Sequence, residues 1–93
     1  MTEMIKLAAA LSACDIPFEI RNCYGTPQIC YPSADPVEMV CDVICHKYSY
    51  GGSQGLLEIM GLVDEELVGD SVEGYLTARD VLLRILQYDM EKA

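Results

Sequence analysis

Hydrophobic residues recur at helical spacing at both ends of the chain. The face near the start consists of Met4, Ile5, Ala8, Leu11 and Ser12. This spacing predicts a helix over residues 2–14, with Thr2 as its cap and its end before Pro17. The face near the end consists of Val81, Leu82, Ile85 and Leu86. It follows Thr77 and Asp80, which have the three-residue spacing of a capping box, and it predicts a second helix.

Between the helices the pattern changes to the short period of extended chain. Residues 18–21 alternate apolar and charged side chains, and residues 28–31 resume that pattern after a Gly-Pro turn. The two segments predict a hairpin. Residues 37–46 are apolar on both faces except at Asp42 and His46, which is typical of a central strand covered on both sides. Residues 48–55 predict a loop, and residues 56–60 are too few to separate a strand from a helical turn.

This order of elements predicts an α+β fold, in which a small antiparallel sheet of two to four strands is flanked by N- and C-terminal helices. Residues 1–93 are expected to form a single domain, because so short a chain cannot build a second core. Hydrophobic residues make up 52% of the chain, which is enough to bury a core and excludes the disordered class. Residues 61–73 predict an acidic connection with one helical turn around residues 64–67.

The short apolar runs and the acidic start predict a cytoplasmic protein, and that compartment guides the interpretation of the cysteines. The longest run, residues 5–11, falls far short of the roughly 20 residues that span a bilayer, and the acidic start lacks the features of a signal peptide. We therefore expect no membrane partner. The five cysteines are odd in number and irregularly spaced, so free thiols are expected: Cys14, Cys23, Cys30, Cys41 and Cys45. Cys41 and Cys45 would lie roughly 13 Å apart along a strand, too far for one zinc ion, so no metal site is predicted.

Charge is the clearest compositional signal. Fifteen acidic and six basic side chains give a formal charge of −9, and residues 48–78 contain no Lys or Arg. The acids of that stretch are Glu58, Asp64, Glu65, Glu66, Asp70 and Glu73. Such a surface repels phosphates, so direct binding of nucleic acid is not expected. The acids have two interpretations: a solvated surface that keeps the protein soluble, or a patch that docks on a basic groove of a partner.

The region from residue 41 to residue 61 holds the candidate chemistry. His46, Tyr48, Tyr50 and Glu58 would converge if the loop folded back over the end of the preceding strand. A His beside a carboxylate can act as a general base, but a lone His at a strand end usually bonds to nearby backbone. The run G-G-S-Q-G lacks the residues of a phosphate-binding loop and indicates turns with positive φ. No catalytic residue and no cofactor are therefore predicted.

Five segments of the sequence are distinctive: I-P-F-E-I-R, Q-I-C-Y-P-S, C-D-V-I-C-H, S-Y-G-G-S-Q-G-L-L-E-I-M-G-L and D-S-V-E-G-Y-L-T-A. Together they resemble a family of small uncharacterised proteins of Firmicutes bacteria, their prophages and other mobile elements. The resemblance covers most of the chain. It implies a genetic setting, a short accessory protein of a phage or mobile element, but no established activity and no functional residue.

Three hypotheses for function follow. The first is a non-enzymatic protein-interaction module with a host protein as its partner, for example an acidic inhibitor of a host defence protein. Its binding residues would be those of the loop, His46, Tyr48 and Tyr50, together with the six acids from Glu58 to Glu73. The second is a small-ligand-binding protein or enzyme that uses residues 46–58. The third is a structural homodimer formed through an exposed edge of the hairpin, since a short sheet leaves edges that must be covered or paired.

Overall fold

The computed structural model describes residues 2–63 and 71–92. Within these residues, two α-helices and five strands follow one another in the chain order α1, β1 to β5, α2. Their bounds are α1 Glu3–Ala13, β1 Glu19–Cys23, β2 Thr26–Tyr31, β3 Cys41–Ile44, β4 Leu57–Met60, β5 Val72–Leu76 and α2 Ala78–Glu91. The strands form one sheet in which each pairs antiparallel with the next along the chain. The α+β class and the terminal helices are therefore confirmed.

The predicted number of two to four strands is wrong, since the sheet has five. The ambiguous segment at residues 56–60 is strand β4, which pairs with β3 on one side and with β5 on the other. Strand β5 lies where a connection leading into the last helix was expected. Its pairing with β4 is irregular between Leu57 and Ile59, and Tyr75 has a φ of 61°. Because of this irregular geometry, and because the strand contains Glu73 and Gly74, the sequence of β5 does not show the alternation by which a strand is predicted.

The strand predicted over residues 37–46 is shorter and begins at Cys41. A turn precedes it, because the carbonyl of Asp35 accepts hydrogen bonds from the N–H groups of Glu38 and Met39. Val37 is consequently 93% exposed rather than part of a strand. The central position in the sheet is as predicted, but coverage on both sides is not. Cys41 and Val43 are buried, whereas Asp42 and Ile44 on the other face are half-buried.

Both helices pack on one face of the sheet and contact each other. The core consists of inward side chains from the helices and from alternate strand positions: Met4, Leu7, Leu11, Ile16, Ile29, Tyr31, Cys41, Val43, Leu57, Ile59, Leu76, Ala78, Val81 and Ile85. This face holds the stability of the fold, because buried apolar area is the main favourable contribution to folding. No helix in the described ranges is long and apolar enough to cross a bilayer.

The helix caps form as predicted. Thr2 Oγ1 accepts the N–H of Ile5 at 3.2 Å. At the start of α2, Thr77 Oγ1 accepts the N–H of Asp80 at 3.2 Å, and Asp80 Oδ2 accepts the N–H of Thr77 at 2.9 Å, which completes the capping box. Glu3 Oε1 also accepts the N–H of Ala78 at 2.8 Å. The first turn of α2 is therefore satisfied from its own cap and from α1.

The opposite face of the sheet, which we call the open face, carries a ladder of polar side chains across three strands. Arg21 Nε on β1 donates to Gln28 Oε1 on β2 at 2.7 Å, and Gln28 Nε2 donates to Asp42 Oδ2 on β3. Gln28 is buried although it is polar. Because both ends of its amide are bonded, its burial costs little free energy.

Candidate aromatic groove

The meander brings three segments to one end of the sheet. Successive strands run in opposite directions, so β1, β3 and β5 all terminate at the same end of the sheet. The turn after β1 carries Tyr24, the loop after β3 carries His46, Tyr48 and Tyr50, and Tyr75 lies near the end of β5. This end of the sheet is therefore rich in aromatic side chains.

The loop between β3 and β4 is held by a small set of backbone contacts. Ser49 Oγ donates to the carbonyl of His46 at 2.7 Å and accepts the N–H of His46 at 2.9 Å. A Cβ at Gly52 would lie 1.7 Å from that same carbonyl oxygen, so only glycine permits the close approach. Gly51 and Gly55 have φ of 86° and 76°, as the glycine-rich run predicts. The loop is thus a specific structure rather than a loose connection.

The His46 ring lies between two tyrosines. Its centroid is 6.2 Å from that of Tyr24, edge to face, and 5.4 Å from that of Tyr48, with the planes tilted by 44°. Nδ1 accepts the N–H of Tyr48 at 3.1 Å. Since Nδ1 acts as an acceptor, the neutral ring carries its proton on Nε2. The histidine therefore contacts both aromatic rings and accepts a hydrogen bond from the backbone of its own loop.

Glu58 lies on the open face of β4, opposite Ile44 of β3. Its Oε2 accepts the N–H of Tyr50 at 2.6 Å, which ties the loop to the sheet. Within residues 2–63 and 71–92, Oε1 has no hydrogen-bond partner. Half of the carboxylate is thus engaged in structure, and the other half remains available to a bound group.

These side chains surround a concave site of about 490 Å³ that we call the aromatic groove. Its lining residues are Cys23, Tyr24, Ile44, His46, Tyr48, Ser49 and Glu58. The walls are mainly aromatic and aliphatic, and Glu58 supplies the one carboxylate among them. A surface of this kind suits a ligand that combines apolar area with positive charge.

Of the site residues predicted from sequence, His46, Tyr48 and Glu58 line the groove. Tyr50 lies beside it, and its carbonyl accepts the N–H of Tyr75 at 3.1 Å. Glu73 is on the helix-covered side, where its two oxygens accept from Arg84 Nη1 and Nη2 at 2.7 Å each. Four predicted residues lie outside the described part of the chain: Asp64, Glu65, Glu66 and Asp70.

Sequence reasoning missed the contribution of the hairpin to the groove. Cys23 and Tyr24 come from β1 and its turn, more than twenty positions before His46. The usable signal was the strand direction, since the turn after the first strand of a meander lies at the same end as the loop after the third.

Three of the five cysteines, Cys30, Cys41 and Cys45, have thiols that the fold makes harder to ionise. The described ranges contain no group of three or more His, Cys, Asp or Glu side chains that could hold a metal ion. Burial, together with the nearby carboxylate of Asp42, raises the pKa of the Cys41 thiol to about 12. Burial likewise raises the pKa values of Cys30 and Cys45. These thiols remain protonated near neutrality, and a thiol is a much weaker nucleophile than a thiolate.

Comparisons with protein-family models, with curated proteins and with solved structures find no match to this chain. The resemblance to small proteins of Firmicutes and their mobile elements therefore stays a prediction, and the function must be argued from the groove itself.

Proposed function

We propose that the protein is a non-enzymatic interaction module that binds a positively charged segment of a partner protein in the aromatic groove. The observation that carries the proposal is the juxtaposition of Tyr24, His46 and Tyr48 with the carboxylate of Glu58. The faces of aromatic rings attract Lys and Arg side chains. The net charge of −9 adds a long-range field that speeds encounter with a basic partner.

Exposure of the rings supports a macromolecular partner. Tyr24 is 91% exposed and Tyr48 is 81% exposed, so neither ring contributes to the core. Tyr50 and Tyr75 are also exposed and extend the aromatic surface beyond the groove. Tyrosine is enriched among the residues that dominate binding energy at interfaces, since it offers a large rigid area and a hydroxyl. A cluster of such side chains at one end of a small sheet favours an interface.

Tyr48 already attracts a cation within the chain. The ammonium nitrogen of Lys47 lies 5.0 Å from the centroid of the Tyr48 ring. The contact supports the electrostatic character that the proposal assigns to this ring. It also means that a basic residue of the partner must compete with Lys47 or approach Tyr48 from another direction.

The contacts of His46 and Glu58 favour binding over catalysis. His46 Nδ1 and Glu58 Oε2 each accept a backbone N–H of the loop. A general base must be within hydrogen-bonding reach of the proton that it removes. Here the two groups hold the loop in shape, which is the role of a supporting residue in a binding surface.

The proposal depends on the groove rather than on the acidic segment after β4. Glu73, the described acid of residues 64–73, forms a bidentate ion pair with Arg84, which neutralises its charge. Inhibition of a host protein by mimicry of nucleic-acid phosphates would require the remaining acids of that segment. A basic peptide in the groove requires only Glu58 and the rings.

The test is a titration with short peptides that differ at one central position. The central residue is Lys, Arg or norleucine, which is an uncharged residue of similar length. Peptides with Lys or Arg are expected to bind and to shift the NMR signals of Tyr24, Tyr48 and Glu58. The peptide with norleucine is expected to do neither. Tyr24→Leu and Glu58→Gln should each weaken binding by roughly tenfold, the scale of a cation–aromatic or partly exposed charge contact. Glu38→Gln, which alters an exposed carboxylate elsewhere, is the matched control.

Three results would count against the proposal. Equal binding of the Lys and norleucine peptides would remove the cationic specificity. Binding that does not weaken between about 50 and about 200 mM salt would remove the electrostatic contribution, because surface charges are screened in that range. Free lysine binding as tightly as the peptide would place the groove among small-ligand sites instead.

A further inference from the structure

Strand β1 forms one edge of the sheet, and its hairpin fixes which backbone groups face outward. Tyr24 and Gly25 have φ of 52° and 84°, so the two-residue turn is of type I′. In such a hairpin the flanking pair, Cys23 and Thr26, exchanges both hydrogen bonds, and the pattern alternates along the strands. The opposed pair Asn22 and Pro27 is then a non-bonded pair, which fits a proline that has no N–H.

The alternation leaves the N–H and C=O groups of Ile20 and Asn22 directed away from β2. In the described ranges, β1 pairs with β2 alone, and neither residue takes part in a further backbone hydrogen bond. The Ile20 side chain is 56% exposed on the helix side of the sheet. An edge with free backbone groups and an exposed aliphatic side chain is a template for another strand.

We propose that this edge pairs with β1 of a second copy of the chain, antiparallel and about a two-fold axis at Ile20. In this register Ile20 lies opposite Ile20 of the second copy. Glu19 lies opposite Arg21 of the second copy, and by symmetry this charge pair forms twice. The two five-stranded sheets become one continuous sheet, and the interface is isologous, as in most homodimers.

The charge pattern selects this register among those that the backbone allows. Only alternate residues of β1 direct their backbone N–H and C=O groups outward. The registers that let these groups bond to each other therefore differ by shifts of two residues. The neighbouring register on one side would oppose Glu19 with Glu19, and that on the other side would oppose Arg21 with Arg21. Like charges directly opposite each other destabilise a strand pair, whereas opposite charges stabilise it. The charged side chains therefore disfavour the two neighbouring registers.

Both charged side chains are held in place and keep capacity for a further contact. Arg21 Nε donates to Gln28 Oε1 at 2.7 Å, and its two Nη groups have no partner within the described ranges. Glu19 Oε1 accepts the N–H of Ala34 at 3.1 Å, which leaves Oε2 available. In the proposed register these residues form the non-hydrogen-bonded pairs, in which side chains approach most closely.

The interface is small, so the dimer is expected to be concentration-dependent. A five-residue edge covers less than the about 1,200 Å² of a standard stable interface. The inference is independent of the proposed function, because it rests on the outer edge of β1 and not on the aromatic groove. Sedimentation equilibrium across about a hundredfold range of concentration should show the mass rising from 10.3 kDa towards twice that value.

Charge reversal tests the register. Glu19→Arg and Arg21→Glu should each lose the dimer, since each places like charges opposite each other. An equimolar mixture of the two variants should recover it, because both charge pairs are then complementary, and so should the double variant. Glu38→Arg, which changes the net charge as Glu19→Arg does, should dimerise as the native chain does. Circular dichroism establishes that each variant is folded.

Ile20→Pro provides a second test if a charge variant fails to fold. It removes an outward N–H and no hydrogen bond to β2, so it should give a folded monomer. A native chain that is monomeric over the whole concentration range overturns the proposal. Single charge variants that dimerise like the native chain overturn the register, as does an Ile20→Pro protein that still dimerises.

Discussion

Replacing Ile85 with alanine is expected to cost about 3–4 kcal/mol of unfolding free energy. Ile85 is fully buried where α2 packs on the sheet. The change removes three carbon atoms, which is about 2.4 kcal/mol at about 0.8 kcal/mol for each buried group. The cavity left between α2 and the sheet adds to this, and measured costs of such changes fall at about 2–5 kcal/mol.

Two neighbouring leucines calibrate that estimate. Leu83 is 52% exposed on the outer side of α2, so Leu83→Ala should cost less than about 1 kcal/mol. Leu82 was predicted from sequence to be part of the apolar face, but it is half-buried and should give an intermediate cost. Urea unfolding followed by circular dichroism measures all three variants on one scale. Equal costs for Ile85→Ala and Leu83→Ala would refute the assignment of the buried face.

Two further predictions concern the helix cap and the buried thiols. Thr77→Ala should lower the unfolding free energy by about 1 kcal/mol, and Thr77→Ser, which keeps the hydroxyl bond to Asp80, should change little; similar losses for both would argue against the capping box. The pKa of Cys41 rises from 9.0 to about 12 in the folded state, so the unfolded chain gives up this proton first. The associated stability is complete below about pH 9 and is lost as the pH rises, by up to about 1.4 kcal/mol for each pH unit. Urea midpoints under reducing conditions should therefore fall more steeply for the native chain than for Cys41→Ala, and parallel curves would contradict this.

The helices could be predicted from sequence because their signals are local. The cap at Thr77 and the apolar face after it lie within one short segment, and the structure reproduces both. Strands β4 and β5, by contrast, depend on contacts with residues that are distant in sequence. Glu73 looked like a solvated acid, but Arg84 of α2 neutralises it on the helix side. Gly74 lies within β5, and a Cβ there would lie 2.1 Å from that of Tyr50, a contact between residues that are distant in sequence.

The candidate site was accessible to sequence reasoning only in part, for the same reason. His46, Tyr48 and Glu58 are close in sequence and were considered together. Tyr24 enters the groove through the direction of β1 and the type I′ turn, which composition does not reveal. Strand alternation also determines that the backbone N–H and C=O of Ile20 point away from β2, which creates the proposed pairing edge.

The sheet separates the chain into a face that stabilises the fold and surfaces that remain available to partners. Its helix side carries the core, and even the charge of Glu73 is neutralised there by Arg84. Its free edge and its aromatic end expose large side chains, Ile20 and Tyr24, that the core does not use. A change at Ile85 should therefore lower stability without altering peptide specificity, whereas Tyr24→Leu should weaken binding without shifting the unfolding midpoint. If both changes moved both quantities, the groove would be part of the cooperative core rather than a surface built on it.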